Sequence, residues 1–148
     1  MIILMDENKK LFKKDVASIF QGESLVDKIH FLIPKVYRET DLSDFTAEVH
    51  YTLPGNVKKE ETLVLLKNSA HEETHLCYLF PVNSKITSFA GDVIFYLVFT
   101  KEDLQNRKKY VLRTDSTTIT VKQIEAPMPL PECEQGGDVE CDFDVVEF

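Results

Sequence analysis

The stretch Thr46–Leu53 reads T-A-E-V-H-Y-T-L and is followed at once by the turn residues Pro54-Gly55-Asn56. Apolar side chains occupy every second position of this stretch, and polar ones fill the others. Because successive side chains of a strand point to opposite faces of a sheet, the pattern predicts a strand with one buried and one solvated face. The turn predicts that the chain then folds back as a hairpin, with residues 62–66 as its second strand.

Short runs of β-forming residues separated by turn residues continue along the chain and predict further strands. These runs are residues 15–20, 25–33, 93–99, 110–113 and 117–124. Residues 93–99 are apolar on both faces, which predicts either a central strand or a face that meets a partner. The last two runs predict a closing hairpin. We therefore expect an all-β fold, an antiparallel β-sandwich of the immunoglobulin-like or jelly-roll-like kind.

Helical signals are short by comparison. Residues 6–12 and 101–107 each suit one or two helical turns, and residues 84–89 suit a short helix or a loop. None is long enough to build a helical layer. The apolar start, residues 1–5, is too short for the core of a signal peptide. We predict three regions: an N-terminal segment 1–14, the β-sandwich 15–124, and a proline-containing acidic tail 125–148.

The negative charge of the chain is concentrated in the tail. The formal net charge is −8, and residues 125–148 contain eight acidic side chains but no lysine or arginine. The rest of the chain is balanced, with 17 acidic and 17 basic residues. Binding to nucleic acid or to an anionic membrane surface needs a basic face, so we expect neither partner.

The tail also carries a pattern that suits docking to another molecule. Alternating prolines favour extended backbone, and an apolar chain end suits addition to the sheet or groove of a partner. The candidate partner-binding residues are Pro127, Pro129, Pro131, Phe143, Val145, Val146 and Phe148.

A possible metal motif stands in the middle of the chain, where residues 71–75 read H-E-E-T-H. In zinc proteases this spacing works because a helix places both histidines on one side, with the glutamate as general base. Here the flanking residues 64–67 and 76–80 predict strands, so the motif reads as a loop entering a strand. A third protein ligand is also needed, and both remaining histidines, His30 and His50, fall on separate predicted strands. We therefore predict no metal site at His71, Glu72 and His75.

Other catalytic patterns are absent from the sequence. It contains neither a glycine-rich phosphate loop nor a nucleophile elbow, and the five glycines are dispersed. The odd count of three cysteines fits a reducing compartment, with Cys77 as a small buried hydrophobe. We expect a protein that is not an enzyme and that needs no cofactor.

The order of several short motifs resembles a family of virion proteins. The motifs are Gln21-Gly22-Glu23, F-L-I-P at 31–34, Tyr37, D-L-S at 41–43, A-E-V-H-Y-T-L-P at 47–54, L-C-Y-L-F-P-V at 76–82, Ile86-Thr87 and A-G-D-V at 90–93. The family occurs in phages and prophages of Gram-positive bacteria and is similar to the N-terminal domain of the phage baseplate upper protein. The resemblance spans residues 15–123.

The resemblance implies a non-enzymatic structural protein, a baseplate or tail adaptor built on a β-sandwich. Its implied partners are other virion proteins, including copies of itself in a homo-oligomer such as a trimer. Its implied location is the virion, assembled in the cytoplasm of a bacterial host. Baseplate upper proteins continue into a helical, receptor-binding-protein-attaching region, whereas this sequence has only the acidic tail. Head decoration, or another accessory role on the capsid or neck, is therefore the alternative.

Two other classes are weaker. A zinc hydrolase would use the histidines of H-E-E-T-H. A carbohydrate-binding module would need exposed aromatic side chains on one platform. The chain has no tryptophan, and its five tyrosines fall mostly in predicted core strands.

Overall fold

The structure, a computed structural model, describes residues 1–66 and 74–124. In chain order its elements are β1 (Ile2–Met5), β2 (Leu11–Lys14), β3 (Ile19–Phe20), β4 (Lys28–Pro34), β5 (Val36–Tyr37), β6 (Thr40–Asp41), β7 (Thr46–Leu53), β8 (Val57–Thr62), β9 (Val64–Leu66), β10 (His75–Pro81), α1 (Ser84–Thr87), β11 (Gly91–Asp103), β12 (Lys108–Arg113) and β13 (Thr117–Lys122). The predicted all-β sandwich is confirmed. Within these ranges no helix is long and apolar enough to cross a membrane.

Two sheets form the sandwich. Sheet A has the strand order β2-β1-β4-β10-β9, and sheet B has the order β3-β13-β11-β7-β8 with β12 also paired to β11. The short strands β5 and β6 form a separate hairpin. Both large sheets are mixed, because β1 runs parallel to β4 and β3 runs parallel to β13. Among the described residues the other eight strand pairings are antiparallel, so the expected antiparallel sandwich holds apart from these two pairs.

The core lies between the sheets and consists of the side chains at every second position of the strands, which point inward. On β11 the inward residues Val93, Phe95, Leu97 and Phe99 are fully buried. Aromatic rings join the two sheets: the Phe80 ring of sheet A lies 6.0 Å from Phe95 of sheet B, centre to centre. Tilted and edge-on ring pairs of this kind add to the free energy gained from burying the rings.

Strand β7 forms as the alternation predicts, with odd-numbered side chains buried and even-numbered ones facing out. Its hairpin partner differs from the prediction. Strand β8, residues 57–62, pairs with β7, and the chain then crosses to sheet A as β9. The predicted strand 62–66 spans this crossover: Thr62 ends β8 in sheet B, and residues 64–66 form β9 in sheet A.

The end of the described chain also departs from the prediction. Strands β12 and β13 do not form a hairpin with each other; both pair with β11, β13 along residues 91–95 and β12 along residues 98–103. The helical turns expected at 101–107 are replaced by the end of β11 and its turn into β12. Of the short helix or loop expected at 84–89, the structure has the helix, α1, with Asn83 as its N-cap.

Residues 1–14 belong to the sandwich, so the predicted boundary after residue 14 is wrong. Strand β1 sits between β2 and β4, and its Ile3 side chain is 0% exposed. The helical turns expected at 6–12 are a turn leading into β2. A five-residue apolar run is too short to show from sequence alone that it pairs with a strand more than twenty residues away.

We expect Ile3→Ala to lower the free energy of unfolding by about 2–5 kcal/mol, because it removes a side chain enclosed by the core. Val26→Ala is the control, since Val26 is 82% exposed and should stay within about 0.5 kcal/mol of the parent. Urea unfolding followed by circular dichroism measures both values. Equal stabilities of the two variants would show that β1 is not a core strand.

Candidate functional site on the outer face of sheet B

A row of four side chains crosses the outer face of sheet B. The register pairs Tyr96 of β11 with His50 of β7, and His50 with Glu60 of β8. The Tyr96 and His50 rings are stacked, with centres 5.1 Å apart and planes 21° from parallel. On the other side of β11, the guanidinium carbon of Arg113 lies 4.2 Å from the centre of the Tyr96 ring. We call Arg113, Tyr96, His50 and Glu60 the outer row.

His50 lies between two carboxylates. Its Nε2 is 3.1 Å from Glu48 Oε1, and its Nδ1 is 3.5 Å from Glu60 Oε2. With both nitrogens facing carboxylates, neither is directed at a substrate as a general base would be.

Within the described part of the chain, Glu48, His50 and Glu60 form a group whose residue types can bind a metal, since one ligand atom from each lies within 4.8 Å of the others. Zinc needs its ligands about 2.0–2.2 Å from one central point. Here the carboxylates approach opposite nitrogens of a single imidazole, so they do not converge on one coordinating atom. The geometry fits an imidazole held between two carboxylates better than a metal centre.

A shallow groove of about 580 Å³ runs beside the outer row. It is lined by side chains of both charges, among them Lys58 and Lys59 as well as Glu60. Ligand sites for small molecules are usually concave and mostly apolar. A charged, open groove of mixed sign suits contact with a polar protein surface.

Tyr96 is not available as a platform for a sugar. Strands β12 and β7 lie on opposite sides of β11, so Arg113 and His50 cover opposite faces of the Tyr96 ring. Two other tyrosines, Tyr51 and Tyr78, are buried in the core. None of these three tyrosines offers the exposed platform that the carbohydrate-binding hypothesis needs.

The described half of H-E-E-T-H lies on a strand. His75 begins β10 and pairs with Pro34, and its Nδ1 lies 2.8 Å from Thr74 Oγ1. The strand predicted over 76–80 is confirmed. His71 and Glu72 lie outside the described residues, as do all the tail residues proposed to bind partners: Pro127, Pro129, Pro131, Phe143, Val145, Val146 and Phe148. The functional assignments made for these residues stay predictions.

The cluster around His50 was missed by sequence reasoning, which took His50 as an ordinary strand residue. One signal was available: Glu48 and His50 are two residues apart on a strand and therefore share a face. The third member, Glu60, reaches His50 only through the register of the β7–β8 hairpin. The predicted hairpin paired residues 46–53 with residues 62–66, so it did not place Glu60 opposite His50.

Two buried tyrosines differ in how their hydroxyl groups are satisfied. The Tyr51 hydroxyl donates to Glu61 Oε2 at 2.5 Å, and burial together with this carboxylate raises the pKa of Tyr51 far above its ordinary value. The Tyr78 hydroxyl has no hydrogen-bond partner among the described residues, and burial raises the pKa of Tyr78 to about 12. Burial also raises the pKa of the Cys77 thiol, which disfavours the reactive thiolate.

No protein-family model matches the chain, and no curated protein matches it in sequence. Its function is therefore inferred from its fold, its surface and the order of its motifs.

The two tyrosines give a matched pair of substitutions. We expect Tyr51→Phe to destabilise the protein by about 1–3 kcal/mol, because it removes a hydrogen bond to a charged group. Tyr78→Phe should be neutral or stabilising, because it removes a buried hydroxyl that has no partner. Chemical unfolding at pH 7 measures both, and a larger loss for Tyr78→Phe would contradict the assignment of partners.

Stability should also fall in alkaline solution. An unfolded tyrosine ionises near its ordinary pKa of 10.0, whereas folded Tyr78 holds its proton up to about 12. The unfolded state therefore binds fewer protons as the pH rises through this window, and the free energy of unfolding decreases. Unfolding curves between pH 9 and 12 should show this decrease in the parent and a shallower one in Tyr78→Phe. Equal slopes would contradict the raised pKa.

Proposed function

We propose that this protein is a non-enzymatic structural subunit of a bacteriophage particle, a baseplate or tail adaptor that works through protein–protein contacts. The order of short motifs along residues 15–123 supports a virion role, and the all-β sandwich agrees with it. The observation that carries the proposal is a β-hairpin that extends past the body of sheet B with exposed apolar side chains.

This hairpin, residues 101–110, is called the arm. Strand β7 supports β11 only as far as Thr100, which pairs with Thr46. Beyond that point β11 pairs with β12 alone, from Lys101 opposite Tyr110 to Asp103 opposite Lys108. A two-stranded ribbon has little stability of its own in water. An arm of this kind gains its stability when a neighbouring molecule covers it.

The apolar side chains of the arm face solvent. Leu104 at the turn is 81% exposed, and Tyr110 is 43% exposed. Val111, the next residue of β12, is 59% exposed. Tyr110 and Val111 point to opposite faces of β12, so this end of the hairpin exposes apolar side chains on both faces and at its tip. Exposed apolar surface is common where proteins bind other proteins. Head decoration or a neck position would use the same arm, so this observation supports a virion adaptor without distinguishing among sites on the particle.

The enzymatic alternative is less well supported. A zinc hydrolase built on H-E-E-T-H needs His75 on a helix, and His75 lies on β10. Metal analysis of the purified chain tests this alternative directly. Stoichiometric zinc that is lost in His75→Ala would overturn the structural role in favour of a hydrolase.

The central test is made on assembled particles of the phage or prophage that encodes the chain. Quantitative mass spectrometry should find the protein at a fixed ratio to the other virion proteins. Leu104→Asp should reduce its incorporation, because it places a charge at the tip of the arm. Val26→Asp is the control, since Val26 is 82% exposed against 81% for Leu104 and lies outside the arm. Absence of the protein from particles would overturn the proposal.

A truncation separates the tail from the body. A chain ending at residue 124 keeps every residue of the described core, so it should still unfold cooperatively. We expect it to be excluded from particles, because the proposed anchor at 125–148 is missing. Normal incorporation of the truncated chain would show that the tail is not the anchor.

A further inference from the structure

The strand β12 has an unpaired edge within the described part of the chain. It pairs with β11 on one side and with no described strand on the other. All its residues except Leu112 are exposed. An open edge of backbone N–H and C=O groups is a template for adding a further strand.

The β12 edge is rich in positive charge. Arg107, Lys108, Lys109 and Arg113 lie within seven consecutive residues that contain no acidic side chain. Two carboxylates face this strand across the ladder, Asp103 opposite Lys108 and Glu102 opposite Lys109. Among the described residues, neither makes an ion pair with a lysine or arginine within 4.0 Å, and Asp103 accepts hydrogen bonds from Asn106 instead. Lys108 and Lys109 are therefore available to a partner, and Arg113, which packs on the Tyr96 ring, has no carboxylate partner among the described residues.

The two faces of β12 differ. Lys109 and Arg113 share the outer face with Val111, while Tyr110 and Leu112 share the inner face with Lys108. Beside the strand lies a groove of about 330 Å³. Its apolar lining comes from β12 and from the segment that includes the β5–β6 hairpin: Tyr37, Leu42, Phe45, Tyr110, Val111 and Leu112.

The tail sequence complements this edge. Residues 138–145 read D-V-E-C-D-F-D-V, in which acidic residues alternate with apolar ones without exception. As a strand, this segment would present one acidic and one apolar face. The acidic face would meet Lys109 and Arg113, and the apolar face would bring Phe143 to the groove.

We propose that residues 138–145 of a second copy of this chain add as a strand to the free edge of β12. This deepens the proposed function, on which it rests, by naming the partner of the tail. Backbone hydrogen bonds hold the added strand, Phe143 fills the groove beside Tyr110, and the alternating carboxylates fix its face and register.

The direction in which the chain leaves the sheet favours a second copy over the chain's own tail. Strand β13 ends beside Gly91, and β12 ends beside Val98, which is about 23 Å further along the sheet in the direction opposite to that in which β13 leaves. To pair with its own β12 the tail must therefore turn back along the sheet, whereas a neighbour can be met without this reversal. Residues 125–137 can span up to about 43 Å, so the chain's own β12 is within reach, and the trap described next distinguishes the two occupants.

The first test is a disulfide trap between full-length chains. One chain carries Tyr110→Cys with Cys133→Ser and Cys141→Ser; the other carries Cys133→Ser and keeps Cys141. After mild oxidation of the mixture, we expect a linked dimer whose disulfide joins Cys141 to position 110. The buried Cys77 should not react. Lys58→Cys, on the opposite edge strand of sheet B, replaces Tyr110→Cys in the control.

Two results of the trap would overturn the proposal. One is a yield of linked dimer no greater than that of the Lys58→Cys control. For the other, a single chain carries both Tyr110→Cys and Cys141 and is oxidised alone. A disulfide within that monomer, with no linked dimer, would show that the tail pairs with its own β12. Circular dichroism spectra and unfolding curves of each variant check that all the cysteine variants are folded.

The second test measures self-association of the full chain by sedimentation. Phe143→Ala should raise the dissociation constant about tenfold or more, because it empties the groove. Lys109→Glu should raise it about threefold, and adding Asp142→Lys should restore it by exchanging the charges. Lys58→Glu is the matched control and should have no effect. A dissociation constant unchanged by Phe143→Ala and by Lys109→Glu would overturn the interface.

These experiments use purified protein, so they fail independently of the particle experiment. Self-association through the tail in a protein that is absent from particles would overturn the virion role and leave the interface standing. Incorporation into particles without any such contact between copies would overturn the interface alone.

Discussion

The pairing of β7 with β11 is the constraint on which the rest of the structure depends. Residues 46–52 lie opposite residues 94–100, and this register turns two alternating apolar rows to the same side. Val49 and Tyr51 from one strand, and Phe95 and Leu97 from the other, form a continuous floor that is almost wholly buried. Sheet A is held over this floor through rings such as Phe80, which contacts both Tyr51 and Phe95.

Local alternation was enough to predict the centre of the fold but not its connections. The alternation of residues 46–53 correctly predicted strand β7. Residues 93–99 were predicted to form an apolar strand, and the structure has them in β11 with their odd-numbered side chains in the core. The outward row of β11 is different: Ile94 is exposed while Tyr96 and Val98 are half-buried. Residues 93–99 are therefore apolar on both faces because one face lies in the core and the other packs against side chains on the outer surface of sheet B.

The missed features share one cause, which is that they depend on partners distant in sequence. Strand β1 is a central strand because β4 accepts it in parallel, and no local signal in five residues contains that information. Strands β12 and β13 read as a hairpin because they are neighbours in sequence. They separate because β11 is long enough to pair with both in succession.

The outer row shows how a site can depend on a turn. Gly55 and Asn56 both adopt positive φ, at 87° and 63°, and they set how β8 returns along β7. This return places Glu60 opposite His50. A slip of one residue would turn Glu60 to the other face of the sheet. The arrangement of charges on the outer surface is therefore fixed by two turn residues that do not touch it.

The junction between β12 and β13 has a mechanical consequence. Thr114, which is buried, donates its backbone N–H to Leu97 O at 3.0 Å, and its Oγ1 accepts from Leu97 N–H at 2.9 Å. A pull on β12 would therefore be resisted by its ladder with residues 98–103 of β11 and then by this contact at Leu97, before it reached β13. Tension applied to the edge of the molecule would be borne by its most deeply buried strand.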